Sequence, residues 1–209
     1  GSYVVEDADL SSNGDYLYFQ ANIEHPGIYE VYRVKTDGSG DPEALTDLDG
    51  MTAFELSPED DELLLTHSTP LMPPELYHKS VNASGTAERL THTVSEKFLS
   101  IDWTAPELVQ NAHMGWSGYF REFMFHSLLN KHGYVVADLD YRGSKGYGRD
   151  WRTAIYRQMG TPEVEDLVDV ASYLESDLNV DGDKLGTYGG SYGGFLTFMA
   201  LFNEPGLFE

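Results

Sequence analysis

The sequence predicts a mixed fold: a repeated all-β segment over residues 1–100, then alternating helices and strands over residues 101–209. Three observations predict it. Short aromatic and β-branched runs separated by turn clusters fill the first half. Those runs recur at an offset of about 45 residues. In the second half the apolar spacing changes to three and four residues, interrupted by short runs typical of buried strands.

In the first half, Tyr16-Leu17-Tyr18-Phe19 follows the turn Ser12-Asn13-Gly14-Asp15, and Ile28 to Val34 precedes the turn Thr36-Asp37-Gly38-Ser39-Gly40. Leu63-Leu64-Leu65 follows Pro58-Glu59-Asp60-Asp61. Leu10-Ser11 matches Leu56-Ser57, and Glu30-Val31-Tyr32 matches Glu75-Leu76-Tyr77. Gly40 matches Gly85, and Leu45-Thr46 matches Leu90-Thr91. A period of ~40–50 residues with several strands in each is the signature of propeller blades, with a single β-sandwich as the alternative. Residues 3 to about 100 are therefore expected to form two antiparallel, mostly four-stranded sheets. Two blades do not close a ring of four or more, so earlier blades are expected beyond this chain.

In the second half, Tyr119 to His132 has helical spacing through Phe120, Phe123, Met124, Ser127 and Leu128, with Gly133 as the residue that ends it. Tyr134-Val135-Val136-Ala137-Asp138-Leu139 reads as a buried strand. Thr161 is expected as an N-cap before Pro162, opening a helix whose face is Val164, Leu167, Val168, Ala171 and Leu174. Lys184 to Tyr188 reads as a short strand and Phe195 to Phe202 as a helix.

Composition excludes several functions. With 13 basic and 35 acidic residues the net charge is −22, which repels phosphate and excludes nucleic-acid binding through a basic face. Acidity of this degree fits a salty environment. There is no cysteine, so disulfides, zinc-thiolate sites and cysteine nucleophiles are ruled out, while the compartment stays open. No apolar run approaches the ~18 residues of a membrane span, and no signal peptide is visible. Gly1-Ser2 in place of an initiator Met reads either as a cloning scar or as the start of a chain that begins partway through a longer protein.

Apparent metal sites dissolve on inspection. Asp177, Asn179, Asp181 and Gly182 fit the first half of a calcium loop, but the twelfth position, which must be Glu, is Tyr188. Glu59-Asp60-Asp61-Glu62 is read as a solvated turn. His25, His67, His78 and His92 lack ligand spacing. Asn82-Ala83-Ser84 fits the glycosylation sequon and falls in a predicted turn. No metal and no cofactor is implied.

The motif that carries chemistry is Gly189-Gly190-Ser191-Tyr192-Gly193, a G-x-S-x-G between a predicted strand and a predicted helix. That context is the arrangement of a nucleophile elbow. Ser191 is expected there at positive φ with an exposed hydroxyl. Close packing at such a turn requires residues without Cβ at Gly189 and Gly193, and Gly190 and Gly194 relax it further. The Tyr192 N–H, at the start of the helix, faces a developing oxyanion. The alternative is a Gly-rich turn holding phosphate, but the Walker Lys-Ser/Thr ending and the G-x-G-x-x-G spacing are both missing.

Taken together, Asp140-Tyr141-Arg142-Gly143-Ser144-Lys145-Gly146-Tyr147-Gly148, Asp150-Trp151-Arg152 and Tyr188 to Gly194 resemble the prolyl oligopeptidase family of serine peptidases, in its dipeptidyl-peptidase and acylaminoacyl-peptidase-like branch. The resemblance also takes in Ile101-Asp102-Trp103 and Gln110 through Phe125. It implies a fragment of a β-propeller, about two blades, followed by part of an α/β-hydrolase domain. It further implies Ser191 as acylated nucleophile, the Tyr192 N–H as one oxyanion donor, a peptide substrate and no cofactor.

Two departures stand out. Hydrolase triads run Ser, Asp/Glu, His, yet no histidine follows Ser191. Only Thr104 to Val109 separates the Ile101 and Gln110 regions, where the family carries strands and a loop with a second oxyanion donor. The expectation is a truncated, internally deleted member that is inactive by itself. His113 is the tempting substitute base but is read as lying in a substrate-side loop. The alternatives are an esterase, or a catalytically dead binding module.

Overall fold

A computed structural model describes residues 3–82, 84–106 and 120–208. They fall into two compact units, residues 3–106 with 120–133 and residues 134–208. Residues 101–106 and the helix over 120–131 group with the β-rich unit.

The first unit holds two four-stranded antiparallel meanders in tandem. Strands β1 (Val5–Leu10), β2 (Tyr16–His25), β3 (Ile28–Lys35) and β4 (Glu43–Ala44) pair in chain order. Strands β5 (Met51–Leu56), β6 (Glu62–Thr69), β7 (Met72–Ser80) and β8 (Glu88–Arg89) repeat that order. A single parallel bridge, Tyr29 with Met51, joins the two, and the Tyr29 N–H donates to the Gly50 carbonyl at 2.8 Å. Short helices α1 (Glu96–Leu99) and α2 (Phe120–Lys131) complete this unit. Gly133 follows α2 at φ 89°, the left-handed residue that stops a helix.

The sequence repeat is a repeat of hydrogen bonds. Ser11 Oγ accepts from the Tyr16 N–H at 2.9 Å, and Ser57 Oγ from the Glu62 N–H at 3.0 Å, at the same point of each first hairpin. Gly14 and Asp60 take the left-handed position of these turns, at φ 79° and 59°. Asp60 accepts from the Ser12 N–H at 2.7 Å and from the Ser12 hydroxyl, tying one turn to the other. Deeper in each meander sits a buried glutamate. Glu30 accepts from the Thr46 hydroxyl and from the Leu48 and Asp49 N–H groups at 2.8 and 2.9 Å. Glu75 accepts from the Thr91 hydroxyl, from the Thr93 N–H at 2.7 Å and from Arg89 Nη2 at 2.9 Å. The two threonine hydroxyls also accept from the Val31 and Leu76 N–H groups, both at 2.8 Å. The Leu-Thr pair of each period therefore closes the outer strand onto β3 or β7.

Alternation along the strands sets the core. Leu63 and Leu65 are fully buried while Leu64 between them points outward. They join Tyr18, Val31, Leu45, Phe54 and Val81 in one cluster drawn from both meanders. Each such buried aliphatic side chain contributes roughly 1.5–3 kcal/mol.

The second unit contains α3 (Gly148–Thr153), α4 (Pro162–Ser176), a 3-10 turn (Gly182–Lys184) and α5 (Tyr192–Asn203). The sequence pattern had not indicated α3, and α5 begins three residues before the expected start. Pro162 opens α4 as expected, but the Thr161 side chain makes no capping bond. The expected strands Tyr134–Leu139 and Lys184–Tyr188 carry no ladder: among the described residues of this unit no strand is formed. A strand exists only with a neighbouring backbone to pair with, and neither run finds one. Tyr134 and Val135 are left 59% and 54% exposed. No helix among the described residues is long and apolar enough to cross a membrane.

The donors around Glu75, led by the Thr91 hydroxyl, hold its carboxyl at about 2 against an ordinary 4.5. A depressed carboxyl stabilises fully above its unfolded value and loses that contribution as pH falls through the folded one. Glu75→Gln is therefore expected to lower the urea midpoint at neutral pH and to flatten the acid-side loss of stability between about pH 4.5 and 2. An unchanged acid limb in urea titrations of the variant would contradict this.

Candidate active site

Ser191 sits immediately before α5 with φ 53° and ψ −115°. A non-glycine residue in such a conformation costs of the order of 1–3 kcal/mol and persists only where its surroundings hold it. The residue is exposed, and its side chain makes no capping bond to the helix it precedes. A serine at this position ordinarily caps, so the hydroxyl is withheld from the task its place would give it. Its carbonyl instead accepts from the Phe195 N–H at 3.1 Å, while the Gly193 N–H donates to the Gly190 carbonyl at 2.9 Å. The junction is loop-to-helix, since the strand expected before it is not formed.

The glycines differ in what they do. A Cβ on Gly189 would lie 2.5 Å from the Gly193 carbonyl carbon, and one on Gly194 would lie 3.3 Å from the Gly189 oxygen. At Gly190 and Gly193 a Cβ would meet nothing within 4 Å. The steric demand therefore falls on Gly189, with Gly194 second, and the expected demand at Gly193 is not found. The backbone of Gly193, rather than its missing side chain, makes the close approach.

Tyr192, the first residue of α5, is held on three sides. Its ring lies against Tyr141 at 6.2 Å between centroids and against Phe195 at 5.3 Å. Its hydroxyl donates to Glu163 Oε1 at 2.5 Å. Burial, reinforced by the Glu163 carboxyl, pushes the phenol up to about 12, so it stays a neutral donor at any ordinary pH. Glu163 lies in the first turn of α4 and is wholly buried. Its other oxygen accepts from the Gly160 N–H at 2.8 Å. Gly160 takes φ 88°, and a Cβ there would meet Phe195 and Met199 of α5 at 2.9 Å. Sequence reading missed Glu163. The available signal was an acid four residues before Leu167, on the stripe assigned to the apolar face of α4.

The segment behind Tyr141 is equally fixed. The Arg142 N–H and Nε donate to Asp166 at 2.7 and 2.8 Å, and its Nη2 donates to the Pro162 carbonyl and to Glu165 at 2.7 and 2.8 Å. Trp151 Nε1 donates to the Tyr141 carbonyl at 3.1 Å. The Tyr147 hydroxyl donates to Asp140 at 2.7 Å, yet burial outweighs that bond and lifts the Asp140 carboxyl to about 6.

The remaining candidates are accounted for separately. Asp181 accepts from Lys184 Nζ at 2.6 Å and from the Asp183 N–H at 3.2 Å. Asp61 accepts from Ser57 Oγ at 2.9 Å and Glu62 faces His78 Nε2 of β7 at 2.6 Å, so these two acids of the turn have protein partners. Asn82 is exposed, while Ala83 of the sequon, His113 and most of the Gln110–Phe125 segment lie outside the described residues. Residues 134–209 contain no histidine.

The comparisons with known proteins cover both halves. Residues 120–209 match the prolyl oligopeptidase family, and residues 1–74 match the dipeptidyl peptidase IV N-terminal region. A probable dipeptidyl-aminopeptidase B from Sclerotinia sclerotiorum is 25% identical over 95% of this chain and 25% of its own length. That alignment runs over 243 positions, more than the chain has residues, so the relative carries residues inside the matched stretch that are absent here. Dipeptidyl peptidase 8 from Mus musculus is 39% identical over 49% of this chain and 11% of its own length. The crystal structure of Porphyromonas gingivalis dipeptidyl peptidase 4 superposes with a TM-score of 0.82 at 20% identity, covering all of this chain and 34% of that one. The chain thus spans between about a tenth and a third of the length of these proteins.

Gly189→Ala is expected to destabilise the chain by about 1–3 kcal/mol, because its Cβ meets backbone that cannot move aside cheaply; Gly190→Ala is expected to leave the urea midpoint nearly unchanged. Equal effects of the two would contradict the assignment. For Asp140, a raised folded value means that the folded state holds its proton where the unfolded state has lost it. Stability therefore falls as pH rises from about 4 to about 6. Asp140→Asn is expected to remove that slope, and persistence of the slope in thermal midpoints taken across this range would exclude Asp140 as its source.

Proposed function

We propose that this chain, whose residues 120–209 match the prolyl oligopeptidase family and residues 1–74 the dipeptidyl peptidase IV N-terminal region, is part of a serine peptidase that hydrolyses short peptides through an acyl-enzyme on Ser191. The observation that carries the reading is the strained, exposed serine at the head of α5, with its hydroxyl withheld from the helix. In this reading residues 1–100 are two blades of a β-propeller and residues 101–209 part of an α/β-hydrolase domain. The repeated meanders and the family matches support that assignment.

The chemistry follows from the elbow. Ser191 Oγ attacks the scissile carbonyl carbon while a histidine base, oriented by an aspartate, takes its proton. The tetrahedral oxyanion is met by the Tyr192 N–H at the positive end of α5. The amine leaves with the proton, and water then releases the acyl group. Since residues 134–209 hold no histidine, the base comes from elsewhere in the protein, and the 209-residue chain by itself is expected to hydrolyse peptides little or not at all. That same absence favours a second reading, a catalytically silent hydrolase-like module that binds without turning over.

Fluorophosphonate labelling with peptide mapping separates the readings. In protein carrying this sequence together with its base, label is expected at Ser191, and Ser191→Ala should lower peptide turnover by ~10⁴-fold or more. Near-normal turnover by that variant would sink the peptidase reading, and absence of label would favour the binding module. Stoichiometric labelling of the 209-residue chain alone would show that another group serves as base.

A further inference from the structure

The nucleophile turn is strained, and it is closed by two backbone bonds, from the Gly193 N–H to the Gly190 carbonyl and from the Phe195 N–H to the Ser191 carbonyl. Ser191 holds φ 53° and ψ −115° without a side-chain bond of its own to the helix. Gly189, Gly190, Gly193 and Gly194 leave the backbone free to relax. Next to Ser191, Gly190 has no side chain, and Tyr192 carries one that reaches a rigid attachment. Its hydroxyl ends on Glu163, a carboxyl with no solvent exposure, whose second oxygen is occupied by the Gly160 N–H. Glu163 belongs to the first turn of α4, and the same turn is clamped by Arg142 through Asp166, Glu165 and the Pro162 carbonyl. Tyr141, next to Arg142, stacks on the Tyr192 ring.

The geometry points to Glu163 as a positioning residue for the nucleophile: by accepting the Tyr192 hydroxyl, it fixes the first residue of α5 and so holds Ser191 and the Tyr192 peptide N–H in their reactive orientation. This rests on the reading of Ser191 as nucleophile. Glu163 touches neither substrate nor reacting atoms, and acts only through Tyr192. A buried carboxyl needs its donors, and a buried phenol needs its acceptor, so loss of either partner strands the other. The consequence is local to the elbow. Its strain is then released into the flexible glycine turn, and the N–H that follows Ser191 loses its aim.

Two variants test this without relying on one fold. Tyr192→Phe removes the hydroxyl and keeps the ring stack. Glu163→Gln keeps the volume but offers one acceptor oxygen to two donors. The first measurement is amide hydrogen exchange in the 209-residue chain at Gly193 and Phe195, whose bonds to Gly190 and Ser191 close the turn. Each variant is expected to speed exchange there ~10-fold, as the loss of one hydrogen bond would. The amides of β2 and β6 should stay unchanged. The double variant should be no faster than the faster single, because both remove the same bond. Unchanged exchange in Tyr192→Phe, or additive effects in the double variant, would overturn the inference. The second measurement, in protein carrying its base, is the split of peptide kinetics. Tyr192→Phe should lower kcat and the rate of Ser191 labelling ~10-fold with KM unchanged, and should lower the thermal midpoint because it strands the buried Glu163 carboxyl. Faster exchange with kcat unaltered would make Glu163 a structural residue only and overturn its positioning role. If the unsubstituted protein is never labelled at Ser191, the peptidase reading fails on its own, and the exchange pattern alone decides whether Glu163 holds the turn.

Discussion

A carboxyl group taken out of water must be given donors, and three of them organise this chain. Glu30, Glu75 and Glu163 are buried to 6%, 2% and 0% exposure. An ionised carboxylate left unpaired in such surroundings costs several kcal/mol, far more than one hydrogen bond returns. Each glutamate is therefore surrounded by hydroxyl and backbone N–H donors, which for Glu30 and Glu75 come from sequence-distant loops and for Glu163 come from Gly160 nearby and from the distant Tyr192. Removing the acid would leave those donors stranded, so each acid fixes where its loop runs. In a chain of net charge −22, where most acids face solvent and repel one another, these inward-facing ones do the opposite.

Glu30 and Glu75 explain why the first half repeats as it does. The recurring residues are not simply a hydrophobic pattern. They are an acceptor on β3 or β7, a Leu-Thr pair that both closes the outer strand and donates to it, and a serine that caps the first hairpin. The core then follows from alternation, with Leu63 and Leu65 inward and Leu64 outward. Asp60 and Ser12 connect the turns of the two meanders, and the Tyr29–Met51 bridge connects their strands. Neither meander is isolated from the other, because one cluster of apolar side chains draws on both.

Glu163 performs the same physical task for a different end. Here the donors are a loop N–H and a phenol, and what is fixed is a turn that would otherwise be soft. The Asp140 to Gly148 segment, which carries the family resemblance, makes no contact of its own with Ser191 in the hydrogen bonds described. Its role is one remove away: Arg142 braces the start of α4 and Tyr141 covers Tyr192. These residues thus support the neighbour of Ser191 rather than Ser191 itself.

The sequence by itself determined the two tandem β units, the helices α2, α4 and α5, and the positive φ of Ser191 in its glycine-rich turn. These depend on near neighbours: turn residues, side-chain alternation, helical spacing and the lack of a Cβ. Only the tertiary structure decided the rest. Tyr134–Leu139 and Lys184–Tyr188 have the composition of strands, yet pairing is a property of two backbones and no local pattern supplies the second. Glu163 reads as one more acid in an acidic chain, and becomes a strut only because the fold brings Gly160 and Tyr192 to its two oxygens. Gly193 reads as the sterically required glycine, whereas the approach is made by its carbonyl toward Gly189. For the unpaired runs and for the Glu163–Tyr192 bond the deciding partner lies far along the chain, and at Gly189 and Gly193 the deciding quantity is the exact path of the backbone; residue spacing encodes neither.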